Sequence, residues 1–331
     1  MKKISKILIP VSIIFLFIIL TLFLGANFMA NKAVAPILPN ESRDSDYYTG
    51  QLTEECDSDD PVEIFANDSF NSSYQWLREN STLASIQSTD GLQLNAYLAK
   101  TSTDSHKYAI VIHGWKSEPK NVSPYAQHFF EKDFNVLVPG LRGHGWSDGN
   151  FVDMGYYCKY DIKSWCRYLI DQDPHAKILL WGVSMGGATV MLTTGLKLPV
   201  NVLCAIEDCG YTTAWDQINY RLQVEYNLPA FPLMYAANYI IEKKYDYNLK
   251  KTDCLAAVKK SITPTLFIHG MEDDYVPSDH LYKCFNAAKC EKEMLKIEGA
   301  KHARSAFKDP ETYWNTVDAF ADKYFIPAMS D

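Results

Sequence analysis

A chain of 331 residues that is 47% hydrophobic and 22% charged is long enough for a sizeable core and too apolar to be mostly disordered. Its 16 Gly and 15 Pro are ordinary numbers and exclude collagen-like and low-complexity chains. The net charge is −8, and residues 31–331, with 29 basic and 40 acidic side chains, carry −11. A surface that negative repels phosphate backbones and argues against nucleic acid as a partner.

Met1-Lys2-Lys3 and Lys6 precede a run without charge from Ile7 to Leu24. As a helix these 18 residues span roughly 27 Å, close to the hydrocarbon thickness of a bilayer. The apolar region of a cleaved signal is shorter, about 7–15 residues, and the small-residue pair in Ala33-Val34-Ala35 is followed by Pro36. The pattern favours an uncleaved signal anchor within residues 1–30 over secretion after cleavage. The basic flank holds the N-terminus in the cytoplasm and leaves the rest of the chain outside, as a single-pass protein of the cell membrane. Residues 31–70, rich in Asn, Ser, Asp and Glu, read as a polar tether to a domain over 71–331.

Eight cysteines are scattered with no CxxC pair, so no zinc site is expected. Cys284 and Cys290, flanking the end of an expected helix, are the best-placed neighbours for a disulfide. Cys158 and Cys166 lie too far apart along one helix to bridge.

From about residue 83, strand and helix signals alternate. Leu92–Leu98 has the period of two of a half-buried antiparallel strand. Tyr108–Ile112, Val136–Pro139, Ile178–Trp181, Val202–Ile206 and Thr265–Ile268 are short apolar runs, the mark of strands buried on both faces, with a weaker last strand at Met294–Ile297. Helical stretches fall between them, near 125–132, 156–171, 185–196, 278–288 and 310–324. This alternation predicts an α/β fold: a mostly parallel sheet covered on both faces, with its site at the carboxyl ends of the strands. Between Ile206 and Thr265 the connection is far longer than a crossover needs. It is aromatic and proline-rich, and it predicts a helical cap over about 210–262, with side packing of an extra helix pair as the alternative.

Gly182-Val183-Ser184-Met185-Gly186 follows a buried strand and opens a small-residue helix. Such a strand–turn–helix elbow holds a serine hydroxyl exposed, and its flanking positions crowd so closely that only small residues fit. A serine needs a base, and the base an acid to fix its tautomer. His269-Gly-Met-Glu-Asp273-Asp274-Tyr-Val-Pro277 follows one downstream strand and offers the acid. Gly299-Ala-Lys-His302 follows the last strand and offers the base. The order Ser184, Asp273, His302 is that of an α/β-hydrolase. His113 and His269, at strand ends, read as structural; His106, His128, His175 and His280 read as surface residues. The backbone N–H groups of Met185 and of Trp115, in His113-Gly114-Trp115, are the candidates for an oxyanion hole.

Together with Leu141-Arg142-Gly143-His144-Gly145-Trp146-Ser147-Asp148-Gly149, these motifs resemble the α/β-hydrolase superfamily over about residues 75–326. Within it they are similar to the membrane-anchored or secreted bacterial hydrolases grouped with serine aminopeptidase-like and Bem46-like proteins. The resemblance implies Ser184 as nucleophile, His302 as base and Asp273, which fits the H-G-x-x-D-x-x-V-P spacing, as acid, with no metal and no cofactor. Two residues depart from the family pattern: Gly140 stands where Asp is usual, and Lys301 replaces the common Gly before the histidine.

The expected activity is cleavage of a carboxylic ester or related acyl bond through an acyl-enzyme. The substrate is expected to be a small acyl ester or a short peptide, in a pocket built from Trp146, Trp215 and Phe231. An aminopeptidase is the alternative, with Glu207 and Asp208 as candidates to bind a free amino group. A catalytically silent binding protein tethered to the membrane is a further one.

Overall fold

The computed structural model describes residues 2–36, 58–102 and 104–328, with side chains from Ser12 onward. The runs read as buried strands form the centre of one eight-stranded sheet: β3 (Lys107–Ile112), β4 (Asn135–Pro139), β5 (Lys177–Val183), β6 (Val202–Asp208) and β7 (Thr265–Gly270). β8 (Lys292–Ile297) closes one edge, and β1 (Ser81–Gln87) and β2 (Gln93–Ala99) the other. The strand order is β1-β2-β4-β3-β5-β6-β7-β8. β2 runs antiparallel to both neighbours, and all other pairings are parallel. β1 is not among the strands the sequence predicts; Ala84 is its one buried residue, so it carries little apolar signal.

Alternate residues of the central strands feed two cores. Ile178 and Leu180 of β5 face α4 (Cys158–Gln172), α5 (Met185–Thr194), α8 (Cys254–Val258) and α9 (Asp279–Ala287). Leu179 and Trp181 face α2 (Pro61–Asn80), α3 (Ser123–Glu131), α10 (Ser305–Lys308) and α11 (Pro310–Ala328). Sheet between helical layers is the α/β-hydrolase architecture.

Helix α2 occupies the end of the segment read as a polar tether. Asp60 caps it by accepting the Val62 N–H at 3.0 Å, Pro61 sits at its first turn, and Ala66, Ser73, Tyr74 and Leu77 form a buried stripe. The polar residues that suggested a tether, such as Asp68 and Ser72, lie on its outer face. Residues 37–57 of the same expected tether, with Cys56, lie outside the described residues.

The N-terminal helix α1 runs from Lys2 to Val34. It has one 23-residue segment, Ser12–Val34, long and apolar enough to cross a membrane. Its two ends differ. Every residue from Ile13 to Leu20 is exposed, whereas Ala26, Met29, Ala30, Ala33 and Val34 are buried against the domain. Within the expected cap, α6 (Ala214–Tyr226) reaches the loop after β7, where Gln217 and Tyr220 donate to the Tyr275 and Asp274 carbonyls, α7 (Leu233–Tyr245) packs along α1, and α8 joins the side layer beside α5.

Candidate active site

The turn between β5 and α5 puts Ser184 at φ 57°, ψ −119°, a backbone conformation strained for a residue with a β-carbon. A β-carbon on Gly182 would overlap the Gly186 carbonyl, and one on Gly186 would overlap the Ile112 carbonyl. The Ser184 N–H donates to the Asp208 carbonyl at 2.8 Å, which ties the turn to β6. Close backbone approach, of α5 to Gly182 and of β3 to Gly186, therefore dictates the glycines.

Ser184 Oγ lies 2.9 Å from His302 Nε2, and His302 Nδ1 lies 2.7 Å from Asp273 Oδ2. With a carboxylate at Nδ1, that nitrogen carries the proton and Nε2 accepts from the hydroxyl. Asp273 Oδ1 accepts the N–H groups of Tyr275 (2.9 Å) and Val276 (2.8 Å). Burial alone would push this carboxyl up, but its bonds with His269 and His302 outweigh burial and hold it well below the usual carboxylate range. Asp274, by contrast, is exposed, and its carbonyl accepts from Tyr220 and Arg221 of α6.

Trp115 lines the cavity beside Ser184 and Met185 follows the serine in the chain; the backbone N–H groups of both, expected to form an oxyanion hole, make no hydrogen bond to another described residue. The loop carrying Trp115 is fixed by two histidines. The Leu141 N–H donates to His113 Nε2 at 3.1 Å, so Nδ1 of that ring donates to the Gly114 carbonyl at 2.9 Å. Burial drives His113 down to about 3, so this ring stays neutral. His144 repeats the arrangement, accepting the Lys116 N–H at 3.1 Å and bonding the Arg142 carbonyl at 2.9 Å. Arg142 is itself buried in a fork to Asp161 (2.6 and 2.7 Å) and reaches Asp90 (2.8 and 3.0 Å).

The His302 loop is braced by α2. Lys301 Nζ pairs with Asp60 at 3.1 Å, and Arg304 Nη2 with Glu63 at 2.8 Å. Positive φ in this loop falls at Gly299 and Ala303 rather than at Lys301, which is why a lysine is accepted there. Gly140 has a different cause: a β-carbon would meet the Trp146 indole nitrogen at 2.6 Å.

A small apolar cavity of about 60 Å³ opens beside Ser184, walled by Met29 and Ala33 of α1, Trp115, Met154, Ile218 of α6 and Tyr275. Its charged members are paired with one another: Glu225 takes Lys32 and Arg221. A second, more polar groove of about 320 Å³ meets it at Ser184 and contains His302, Asn121 and Arg304.

The aromatic residues expected in the pocket lie elsewhere. Trp146 packs on Tyr97, Trp215 on Tyr235 under Lys250, and Phe231 is 72% exposed. Their places are taken by α1, whose A-x-x-M-A-x-x-A-V pattern after Gly25 has the spacing of a docking stripe. Glu207 and Asp208 do not reach the cavity either. Both are buried beneath the elbow, with Glu207 Oε2 accepting the Gly210 N–H and Asp208 Oδ2 the Tyr313 hydroxyl, each at 3.0 Å. Burial pushes Glu207 up to about 8 and Asp208 up to about 6. His280, read as a surface residue, is buried and accepts the Thr212 N–H at 3.0 Å.

Among the described residues all seven cysteines are free, including Cys284 and Cys290. Cys209, Asp273 and His302 gather their ligand atoms within 4.8 Å. Burial holds the Cys209 thiol protonated, and the Asp273 oxygens already accept three hydrogen bonds and lie against His269, a poor donor set for a cation.

Comparison with known proteins agrees with this architecture. The family model of the prolyl oligopeptidase family matches residues 120–327. The chain is 30% identical over 220 residues to YqkD of Bacillus subtilis, covering 66% of this chain and 72% of that protein. Among solved structures it superposes on the esterase Pf2001 of Pyrococcus furiosus with a TM-score of 0.61 at 19% identity, covering 76% of this chain and 95% of the esterase. It also superposes on the acylaminoacyl peptidase of Pyrococcus horikoshii with a TM-score of 0.55 at 17% identity, covering 74% of this chain and 41% of the peptidase.

Proposed function

Since the chain belongs to the prolyl oligopeptidase family, with an α/β-hydrolase fold, we propose that it is a serine hydrolase that cleaves carboxylic esters through Ser184, His302 and Asp273. The observation that carries this reading is the hydrogen-bonded line from Ser184 Oγ through His302 to Asp273, at 2.9 and 2.7 Å, opening on an apolar cavity. His302 Nε2 takes the Ser184 proton as Oγ attacks the carbonyl carbon. The N–H groups of Met185 and Trp115 hold the resulting oxyanion. His302 then gives its proton to the departing alcohol, and a water deprotonated by the same imidazole releases the acid from Ser184. Asp273 keeps the ring oriented and stabilises its charged form without taking the proton.

An amide substrate with a free amino group fits less well. An aminopeptidase must hold an ammonium with an unpaired carboxylate, yet Glu207 and Asp208 are sealed beneath the elbow and Glu225 on the cavity wall is already paired with Lys32 and Arg221. The N-terminal helix serves as a single-pass anchor that leaves the domain outside the cytoplasm, a placement supported by its basic flank and by the exposed residues from Ile13 to Leu20.

The test is hydrolysis of p-nitrophenyl acyl esters beside aminoacyl-p-nitroanilides, by the native chain and by Ser184→Ala. Ester turnover that vanishes in the variant supports the proposal. Ester turnover unchanged in Ser184→Ala, or a preference for the anilides, contradicts it.

A further inference from the structure

From the way α1 enters the cavity beside Ser184, we infer that the substrate is a long-chain acyl ester resident in the bilayer, its acyl chain held against Met29 and Ala33 of the membrane helix itself. This rests on the serine-hydrolase reading above and adds the substrate class.

The first observation is continuity. α1 is one unbroken helix from Lys2 to Val34, so no flexible segment separates its exposed apolar part from its docked part. At 1.5 Å per residue, Met29 lies roughly 7.5 Å and Ala33 roughly 13.5 Å along the axis beyond Leu24, the last residue of the uncharged apolar run. The cavity therefore begins within about two helical turns of the hydrocarbon boundary.

The second observation is how firmly the docked part is held. The Trp115 indole N–H donates to the Ala33 carbonyl at 2.9 Å, Lys116 Nζ to the Lys32 carbonyl at 3.1 Å, and the Val152 N–H to the Val34 carbonyl at 2.7 Å. Lys32 pairs with Glu225 and donates to the Tyr226 hydroxyl at 2.8 Å. Trp115 thus touches the membrane helix with its side chain and lines the cavity that holds Ser184.

The third is the face around the cavity. A β-carbon on Gly25 would lie 3.2 Å from Leu233 Cδ1, at the start of α7. At the other end, Val34 bonds Val152, and the adjacent Phe151 stacks on Tyr245, the last residue of α7, at 4.7 Å. The two helices therefore run in the same direction, and the α6–α7 connection lies at the membrane end. That connection carries Leu228 and Phe231, and beside it are Phe28 and Tyr235, all exposed. Apolar and aromatic residues left bare beside a spanning helix are what a bilayer interface accepts. The cavity walls are mostly apolar, and their charged side chains are spent on one another, which suits an acyl chain; among the described residues the Gln217 side-chain oxygen is left without a partner there.

The test uses the full chain in phosphatidylcholine nanodiscs, with p-nitrophenyl acetate and p-nitrophenyl octanoate in solution and dioleoylglycerol doped into the disc. The expected result is a kcat/KM for octanoate at least tenfold above that for acetate, together with release of oleate. Ala33→Phe, which fills the cavity, lowers the octanoate-to-acetate ratio at least tenfold and suppresses oleate release; Met29→Ala, which enlarges it, raises the ratio. Opposite shifts from two substitutions in one helix cannot come from misfolding. A ratio unmoved by either substitution, or octanoate cleaved without any release of oleate, overturns the inference while leaving the serine-hydrolase reading intact. Absence of turnover on every ester overturns that reading itself.

Discussion

The Trp115 indole donates to the carbonyl of Ala33, 82 residues earlier in the chain, at 2.9 Å. One side chain thereby links the N-terminal helix to a loop that lines the cavity beside Ser184. His113 and His144 also hold the loop, and Lys116 Nζ adds a second bond from it to α1, at the Lys32 carbonyl, so docking of α1 helps set its position.

Trp115→Phe keeps an aromatic side chain but trades the indole for a smaller ring and removes the donor. It is expected to cost about 1 kcal/mol for the lost hydrogen bond, with a further loss for the smaller ring. Turnover of the ester that the native chain prefers should fall several-fold, with circular dichroism unchanged. Native turnover in this variant would show that docking of α1 does not set the loop.

Asp273→Asn keeps the size of the acid and removes its charge. Turnover should fall by about 10⁴-fold, because an amide allows the wrong imidazole tautomer. The same carboxyl gives a pH signature. Its native pKa lies below that of the unfolded chain, so its contribution is present above the unfolded value of 3.8 and is lost as the pH falls towards the native one. The stability advantage of the native chain over Asp273→Asn should shrink in acid denaturation begun from pH 5. An advantage that grows as the pH drops contradicts the geometry.

Glu207 runs in the opposite sense. Its native value, about 8, lies above the ordinary 4.5, so the stabilisation from burying the neutral acid is complete below about 4.5 and disappears as the pH rises through about 8. Asp208, raised to about 6, adds a smaller loss that begins lower. Between pH 5 and 8 the native chain should lose on the order of 3 kcal/mol through Glu207, read from urea midpoints. Glu207→Gln should flatten that decline to the part belonging to Asp208. An unchanged slope in the variant would mean that Glu207 is not buried as a neutral acid.

Arg142→Leu strips the fork from Asp161, leaving a buried carboxylate unpaired. The loss should be about 3–5 kcal/mol, measurable as a lowered thermal midpoint. Asp161→Asn in the same background should recover part of it, because the orphaned charge, rather than the missing contact, dominates.

The parts legible in the sequence are those fixed by short-range constraints. The strands β3 to β7 announce themselves because both their faces are buried, and the elbow because backbone crowding at Gly182 and Gly186 is local to a strand–turn–helix. α2 is hidden by its polar outer face, although Asp60-Pro61 and the spacing of Ala66, Tyr74 and Leu77 carry a cap and a stripe. The cavity walls are the least legible. Aromatic residues close to the strand ends suggested Trp146, Trp215 and Phe231. Which side chains line a cavity depends on packing between segments far apart, and here α1 docks between the cap and the Trp115 loop. Trp146 turns instead into the space beside Gly140 and packs on Tyr97.

The central claim is that Ser184 is an activated nucleophile, and covalent capture tests it most directly. The native full chain is incubated with a fluorophosphonate, digested, and the modified peptide sequenced by mass spectrometry. The account predicts a single phosphonylated residue, Ser184, formed within minutes at neutral pH and absent after heat denaturation. Modification of a different residue, or a native chain that stays unlabelled, would contradict it.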